Sequence, residues 1–268
     1  PPARPRSPTV VGVREPDDLV EVTTTAGTVR GRWRAIPGSE ARSAAFLGIP
    51  FAEAPVGELR FAAPVPKAPW DGVRDALAFG ATAQRGDPGV TLIPEPSVEG
   101  ESTLNVNVFT RSPAPAAPGE GLPVLVWIHG GGYVAGSPAS PWYDGRNFTR
   151  DGVVTVTISY RLGFDGFGWV EGAPQNRGVL DWLLALEWVQ RNVAAFGGDP
   201  GRVTIAGQSA GGGAVLQGGH DMGGRSAQRL PQIARQILGG DVLGIFDRQP
   251  CPLAKGAQHR RRVGGGGR

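Results

Sequence analysis

The sequence is poor in cysteine, histidine and methionine. Its 268 residues include one Cys, three His and one Met. The single Cys251 excludes an internal disulfide framework and is typical of a protein from a reducing compartment. Long apolar runs are also missing, since none approaches the roughly 20 residues that a membrane-spanning helix needs. Residues 1–18 lack the apolar segment of a secretory signal, so the sequence predicts a cytoplasmic protein without a membrane span.

Charge is low and unevenly distributed. The formal net charge is +3, but residues 1–216 hold 18 Lys and Arg against 21 Asp and Glu, whereas residues 217–268 hold 9 against 3. The basic excess therefore lies in a tail whose only aromatic residue is Phe246. A nucleic-acid-binding domain would combine a basic face with a recognition motif, and neither is present. We expect no nucleic-acid partner.

Several short segments have the composition of β-strands. Leu19–Thr25 and Thr28–Trp33 flank Ala26-Gly27, a pair that predicts a hairpin. Residues 103–110 alternate in polarity and predict a further strand. Three continuous apolar runs predict strands covered on both faces, and these are residues 122–129, 152–160 and 202–207.

Residues 176–196 have the periodicity of a helix. Their large apolar residues fall on one stripe, which consists of Trp182, Leu186, Val189, Val193 and Phe196. Gly197-Gly198 predicts the end of this helix, and Asp199-Pro200 predicts a turn. Buried strands that alternate with a helix predict an α/β fold, with a mostly parallel central sheet flanked by helices.

Three regions follow from this pattern. Residues 1–18 form a Pro- and Arg-rich lead-in that we expect to be disordered, residues 19–216 form the α/β domain, and residues 217–268 form a basic, Gly- and Arg-rich tail. Within the domain, residues 44–70 are apolar but interrupted by prolines. We expect that segment to cover a surface as extended pieces and turns.

The stretch GQSAG, Gly207 to Gly211, matches the Gly-x-Ser-x-Gly pattern of a nucleophile elbow. A serine on a sharp turn between a strand and a helix needs small neighbours, because the two elements approach closely there. With 43 Gly in the chain, chance alone gives about 0.3 such matches, so a glycine-rich turn without function is the alternative. The buried strand that precedes the motif favours the elbow, with Ser209 as a nucleophile.

The stretch HGGGY, His129 to Tyr133, follows another predicted buried strand. Glycines present backbone N–H groups without side chains in the way, as an oxyanion-binding loop requires. In a chain with three histidines, His followed by three Gly is expected by chance about 0.01 times. This motif is therefore far more informative than the elbow alone, although a flexible glycine loop is its alternative.

From about Val20 to Leu216 the sequence resembles the type-B carboxylesterases, α/β-hydrolases that include cholinesterases and bacterial para-nitrobenzyl esterases. The resemblance rests on segments that occur in the order of that family: FLGIPFAEAPVGELRF, PWDGVRDALAFG, ESTLNVNVFT, PVLVWIHGGGYVAGS, TISYRLG and NRGVLDWLLALEWVQRNVAAFGGDPGRVTIAGQSAG. It implies an α/β-hydrolase fold and hydrolysis of a small-molecule carboxylic ester. It implies no metal and no organic cofactor.

The resemblance also assigns roles to individual residues. It implies that Ser209 is the nucleophile and that the N–H groups of Gly131, Gly132 and Ala210 form the oxyanion hole. His129 is then a structural residue of the glycine loop and not the general base. Acyl and alcohol preferences are not readable from the sequence, and three aromatic residues are candidates either for lining the substrate pocket or for packing: Tyr133, Trp142 and Phe164.

The sequence departs from the family in three respects. Thr103 stands where the family has an early Cys, and Gln208 stands where it usually has Glu. The family's acid and histidine lie far downstream of the nucleophile, and the 59 residues after Ser209 do not resemble that half. The order Ser209, Asp247, His259 matches a hydrolase triad, but the tail shows no strands that would carry the last two side chains.

These departures shape the functional expectation. Residues 19–216 are expected to be the N-terminal part of an α/β-hydrolase domain, truncated after the elbow, with an unrelated tail such as a frameshift in the gene would produce. Such a chain would be an incomplete serine carboxylesterase with weak activity or none. The alternative is a non-catalytic, cholinesterase-like interaction protein, which the intact Ser209 and glycine loop disfavour.

Overall fold

A mixed β-sheet organises the described part of the chain. The computed structural model describes the backbone of residues 18–85 and 92–221, with side chains up to residue 215. The strands of this sheet are β1 (Leu19–Thr23), β2 (Thr28–Ala35), β3 (Arg42–Pro50), β4 (Val73–Asp75), β5 (Asn105–Thr110), β6 (Leu122–Ile128), β7 (Val154–Ile158) and β8 (Gly198–Gly207). The described α-helices are α1 (Arg146–Arg150), α2 (Gly163–Phe167), α3 (Arg177–Asn192) and α4 (Ala210–Asp221).

The strands lie in the order β1-β2-β3-β5-β7-β6-β8, and β4 pairs with β2. Four neighbouring pairs are antiparallel, from β1 through β2, β3 and β5 to β7. Only β7, β6 and β8, together with the short β4 beside β2, pair in parallel. The prediction of a mostly parallel sheet is therefore correct only at the β8 end of the described sheet. Hairpin-type connections between the early strands produce antiparallel pairs, whereas parallel pairs need longer crossovers.

The first hairpin is where the sequence predicts it. The Thr24 hydroxyl donates to the Gly27 carbonyl at 2.8 Å, and the Thr24 N–H donates to the same oxygen at 3.0 Å. Gly27 has a φ of 154°, and a Cβ atom there would lie 2.5 Å from Nε1 of Trp70. The turn therefore needs glycine both for its backbone and for the close approach of the indole.

The apolar segment 44–70 does not lie on the surface along its whole length. Its first seven residues belong to β3, where Phe46 and Ile49 are buried and the strand pairs with both β2 and β5. Its prolines begin only at Pro50, so they do not interrupt the ladder. The prediction of a surface covering is wrong for β3. It is correct for residues 51–70, which contain turns, a 3-10 turn over Gly57–Leu59 and an isolated bridge between Ala52 and Pro66.

The centre of the sheet is covered on both faces. Every residue of β5 and of β7 is buried. The sequence of β7, Val-Thr-Val-Thr-Ile, consists of β-branched residues, which pack well on a pleated surface. These strands therefore form the rigid middle of the sheet on which the neighbouring β6 and β8 are built.

Helix α3 confirms the predicted helical stripe. It spans Arg177–Asn192 and continues as a 3-10 turn over Val193–Phe196. All five apolar residues of the predicted stripe are buried, and each such side chain stabilises the fold by about 1.5–3 kcal/mol. The helix begins after Asn176, which has a left-handed φ of 51°. It ends at Gly197, whose φ of 78° is left-handed as well.

Strand β8 starts earlier than predicted. The predicted turn at Asp199-Pro200 lies inside the strand, as an irregularity where the register against β6 shifts between Leu122 and Val124. The Gly201 N–H donates to Oδ1 of Asp199 at 2.8 Å, a local turn that the strand tolerates. No described strand pairs with the free side of β8.

Some predictions concern residues outside the described ones. Residues 1–17 of the lead-in and residues 222–268 of the tail, including Asp247 and His259, belong to that group. Among the helices in residues 18–85 and 92–221, none combines the length and apolar character needed to cross a membrane.

Candidate active site

Ser209 lies on a sharp turn between β8 and α4. It is exposed, and its φ of 56° is left-handed, a conformation that non-glycine residues rarely adopt. The Ser209 carbonyl accepts the Gly213 N–H at 3.0 Å, and the Gln208 carbonyl accepts the Gly211 N–H at 2.9 Å. The structure therefore has the strand, strained turn and helix that the elbow prediction requires.

The two glycines of the elbow are needed because backbones meet there. A Cβ atom on Gly207 would lie 2.4 Å from the Gly211 carbonyl carbon. A Cβ atom on Gly211 would lie 2.1 Å from the Ile128 carbonyl oxygen. Both distances are below any real van der Waals contact. The spacing of the motif thus reflects helix α4 lying directly against the end of β6.

The glycine loop leaves the end of β6 at the same edge of the sheet. Gly131 and Gly132 have φ values of 107° and 62°, both in the left-handed region. Within the described residues, neither N–H group donates a hydrogen bond. Gly132 is exposed and Gly131 is half-buried. The loop therefore presents two neighbouring backbone N–H groups without a hydrogen-bond partner among the described residues.

The loop and the elbow are adjacent because β6 and β8 are parallel neighbours. Ile128 and Gly207, near their carboxyl ends, face each other in the ladder. A Cβ atom on Gly130 would lie 3.2 Å from Cβ of Ser209 and 2.7 Å from the carbonyl oxygen of Gln208. Ligand sites of α/β sheets form at this edge. The fold thus brings the predicted nucleophile next to the predicted oxyanion-binding loop.

Ala210 is the first residue of α4, so its N–H has no partner within the helix. The N-terminus of a helix carries a partial positive charge that favours an anion. Of the four residues that the sequence assigns to the site, the structure therefore places Ser209 and Ala210 on the elbow. Gly131 and Gly132 lie on the loop that touches the elbow through Gly130.

His129 is buried beneath the glycine loop. Its ring stacks on Tyr160 with centroids 4.5 Å apart, and Nδ1 donates to the Gly130 carbonyl at 2.8 Å. The Tyr160 hydroxyl donates to the His129 carbonyl at 2.9 Å. Burial lowers the pKa of His129 to about 4, so the ring is neutral at pH 7. These contacts hold the ring beneath the loop, and no described hydrogen bond joins it to Ser209.

Tyr133 follows the glycines and has a left-handed φ of 66°. Its ring contacts Phe167 and Trp182, with centroid distances of 5.0 and 6.0 Å. A Cβ atom on Gly213 of α4 would lie 3.1 Å from the Tyr133 hydroxyl. Of the three aromatic candidates for the substrate pocket, Tyr133 therefore packs between the loop and α4, whereas Trp142 and Phe164 are each 62% exposed.

A buried ion pair that no sequence pattern indicates supports the elements behind the loop. Nε of Arg161 donates to Asp181 at 2.9 Å and Nη2 donates at 2.7 Å, with both side chains almost fully buried. The remaining amino group of Arg161 donates to the carbonyls of Arg60 and Ala62. This pair joins α3 to the segment that follows β7 and to the chain after β3.

Arg177 is a second buried cation, with a side chain that donates only to backbone carbonyls. Four hydrogen bonds of 2.7–3.0 Å go to Asp165, Pro174, Phe164 and Gly168. Burial lowers the pKa of the Arg177 guanidinium, which nevertheless stays charged at pH 7. The side chain therefore holds α2 and the following loop against the start of α3.

Ser209 is exposed and lies apart from the cleft beside α2. A cleft of about 440 Å³ is lined by Arg60, Arg161, Leu162 and Phe164 among others, but by no residue of the elbow or the glycine loop. Among residues with described side chains, none hydrogen-bonds to the Ser209 hydroxyl. No group of three or more His, Cys, Asp and Glu in the described ranges could hold a metal ion. Within the described residues, the candidate site therefore consists of Ser209 on its turn and the adjacent glycine loop.

Comparison with known proteins identifies relatives of this chain. A model of the carboxylesterase family matches residues 18–217. Carboxylesterase 3 of Homo sapiens is 40% identical over 253 residues, which cover 88% of this chain and 42% of that protein. Cocaine esterase of Oryctolagus cuniculus is 46% identical over 202 residues, covering 72% and 37%. Carboxylesterase 3B of Mus musculus is 43% identical over 211 residues, covering 72% and 35%.

The matches cover most of this chain but less than half of each relative. The residues matched by the family model begin at β1 and include the glycine loop, the elbow and most of α4. A match of that extent settles the membership: this chain belongs to the carboxylesterase family.

Proposed function

We propose that this chain supplies the nucleophile and the oxyanion-binding groups of a serine carboxylic ester hydrolase. The observation that carries the proposal is the juxtaposition of Ser209, on a left-handed turn before α4, with a glycine loop that has free N–H groups. A serine hydroxyl beside preorganised backbone donors is the arrangement that acyl transfer needs. The related proteins named carboxylesterases support the choice of a carboxylic ester as substrate.

The proposed reaction begins with attack of the Ser209 Oγ on the acyl carbonyl carbon. The π electrons of the carbonyl move onto its oxygen, which the N–H groups of Gly131, Gly132 and Ala210 stabilise. Collapse of this intermediate breaks the bond to the alcohol oxygen, which takes up the proton lost by Ser209 and leaves as the alcohol, and an acyl ester remains on Ser209. Water then attacks the acyl ester, which releases the carboxylic acid and restores the serine.

A general base must take the Ser209 proton, and the residues with described side chains do not provide one. His129 is buried, neutral and bonded elsewhere. We therefore place the base and its acid partner outside the described residues. In subtilisin, loss of the base costs on the order of 10⁶ in kcat. If the chain itself lacks a base, ester turnover should therefore stay weak.

The proposal is tested by labelling the full chain with a fluorophosphonate probe, beside a Ser209→Ala variant. We expect covalent labelling that maps to Ser209 and is absent in the variant. Hydrolysis of para-nitrophenyl acetate, followed as a burst and a steady state, then separates acylation from turnover. A folded sample that shows neither labelling nor a burst would refute the proposal and favour the non-catalytic interaction protein.

A further inference from the structure

Glu95 makes an unexpected contact with the glycine loop. It lies 41 residues before Gly136, and its Oε2 accepts the Gly136 N–H at 3.0 Å. The side chain of Glu95 is half-buried, and no described Lys, Arg or His forms an ion pair with it. A carboxylate that accepts a backbone N–H makes a stronger hydrogen bond than a neutral acceptor does. The contact therefore anchors Gly136, at the carboxyl end of the loop, to a residue that is not part of the loop.

Gly136 is the residue at which the loop closes on itself. It has a left-handed φ of 99°, and a Cβ atom there would lie 2.2 Å from the Gly130 carbonyl oxygen and 2.4 Å from Nδ1 of His129. The backbone of Gly136 thus packs directly on the start of the loop. A movement of Gly136 would displace Gly130, which adjoins Ser209.

The two ends of the loop also pack tightly against each other at Gly131. A Cβ atom on Gly131 would lie 2.2 Å from the Ala135 carbonyl oxygen and 2.8 Å from the Gly136 nitrogen. The Gly131 carbonyl in turn accepts the N–H groups of Val134 and Ala135 at 3.1 and 2.9 Å. The Gly136 nitrogen, which donates to Glu95, is therefore packed against Gly131, the first of the two residues with a free N–H group.

We propose that Glu95 is a positioning residue for the oxyanion-binding loop. Its carboxylate binds the Gly136 N–H and fixes the position of Gly136. Because Gly136 packs on Gly130 and Gly131, a fixed Gly136 also restricts the movement of the N–H groups of Gly131 and Gly132. Glu95 itself does not touch the reacting atoms. The inference rests on the proposed function for its effect on catalysis, but its effect on loop order can be measured independently.

The test uses the full chain with three variants. Glu95→Ala removes the acceptor, Glu95→Gln keeps an acceptor oxygen without the charge, and Glu99→Ala removes a charge from an exposed neighbour. Two quantities are measured for each: the rate constant for fluorophosphonate labelling of Ser209, and hydrogen exchange of residues 130–136 by mass spectrometry. Thermal unfolding shows whether each variant is folded.

We expect Glu95→Ala to slow labelling roughly tenfold, less than the 10²–10³ that loss of a direct oxyanion donor costs. Exchange of the loop should accelerate in the same variant. Glu95→Gln should restore both quantities to within about threefold of the wild type, because its amide oxygen can accept the same N–H. Glu99→Ala should match the wild type in both.

Equal labelling and equal exchange in Glu95→Ala and wild type would overturn the inference. Equal slowing by Glu95→Ala and Glu95→Gln would also overturn it, since the charge and not the hydrogen bond would then matter. If the wild type is not labelled at all, the proposed function fails. The exchange data then decide the positioning role alone: faster loop exchange in Glu95→Ala only would support it, and equal exchange in all four proteins would overturn it.

Discussion

A Cβ atom on Gly211 would lie 2.1 Å from the carbonyl oxygen of Ile128. The first turn of α4 therefore rests on the last residue of β6, which leads directly into the glycine loop. This contact is what places Ser209 at the carboxyl edge of two parallel strands. The stability of the fold and the geometry of the candidate site consequently depend on the same backbone approach.

The replacement Gly211→Ala tests this approach. The added methyl group must push α4 away from β6, so we expect the free energy of unfolding to fall by about 1–3 kcal/mol and labelling of Ser209 to slow. Gly213→Ala, in the same helix, is the control. Its Cβ would meet only the end of the Tyr133 side chain at 3.1 Å, and alanine favours a helix over glycine by about 1 kcal/mol. Urea unfolding with equal midpoints for the two variants would contradict the argument.

The left-handed turn at Ser209 makes a second prediction, which compares Ser209→Gly with Ser209→Ala. Both remove the nucleophile, so neither should be labelled. Only glycine adopts a φ of 56° without steric cost, so Ser209→Gly should be more stable than Ser209→Ala by about 1 kcal/mol. Urea unfolding of the two variants measures this difference. Equal stability would mean that the turn is not strained in solution.

The sequence predicts those features of the site that depend on local backbone geometry. The glycines of the loop and of the elbow are necessary wherever a left-handed φ or a close backbone contact occurs, so their spacing is visible without a structure. The stripe of α3 is equally local, since a period of 3.6 residues selects one buried face. The stripe was predicted correctly because it depends only on neighbours in the chain.

Features that depend on distant partners could not be predicted. Arg161 and Asp181 are charged and would ordinarily be assigned to the surface, yet they are buried because each neutralises the other. The hydrogen bond from Gly136 to Glu95 joins residues that are 41 positions apart. Strand β3 differs from the prediction for another reason: the prolines from Pro50 onward indicate a surface segment, but they follow its apolar run without interrupting it.

The buried ion pair makes a third prediction. Asp181→Asn leaves the Arg161 guanidinium buried without a carboxylate, which should lower the free energy of unfolding by about 3–5 kcal/mol. The matched control is Asp165→Asn, since Asp165 pairs with Arg60 at the surface, where such pairs contribute less than about 1 kcal/mol. Denaturant midpoints for both variants measure the difference. If the free energy of unfolding falls by a similar amount in the two variants, burial does not determine how much an ion pair contributes to stability.

The pH dependence of stability makes a fourth prediction, through His129. Burial lowers the pKa of His129 to about 4 from 6.5, so between these values the unfolded chain binds a proton that the folded chain does not. The free energy of unfolding should therefore fall as the pH is lowered from 6.5 to 4, by up to roughly 3 kcal/mol from this residue, with its contribution complete above pH 6.5. His129→Phe keeps a ring against Tyr160 but cannot take up a proton. Urea unfolding of both proteins from pH 4 to 8 should show the wild type losing more stability in acid, whereas parallel curves would exclude His129 as the cause.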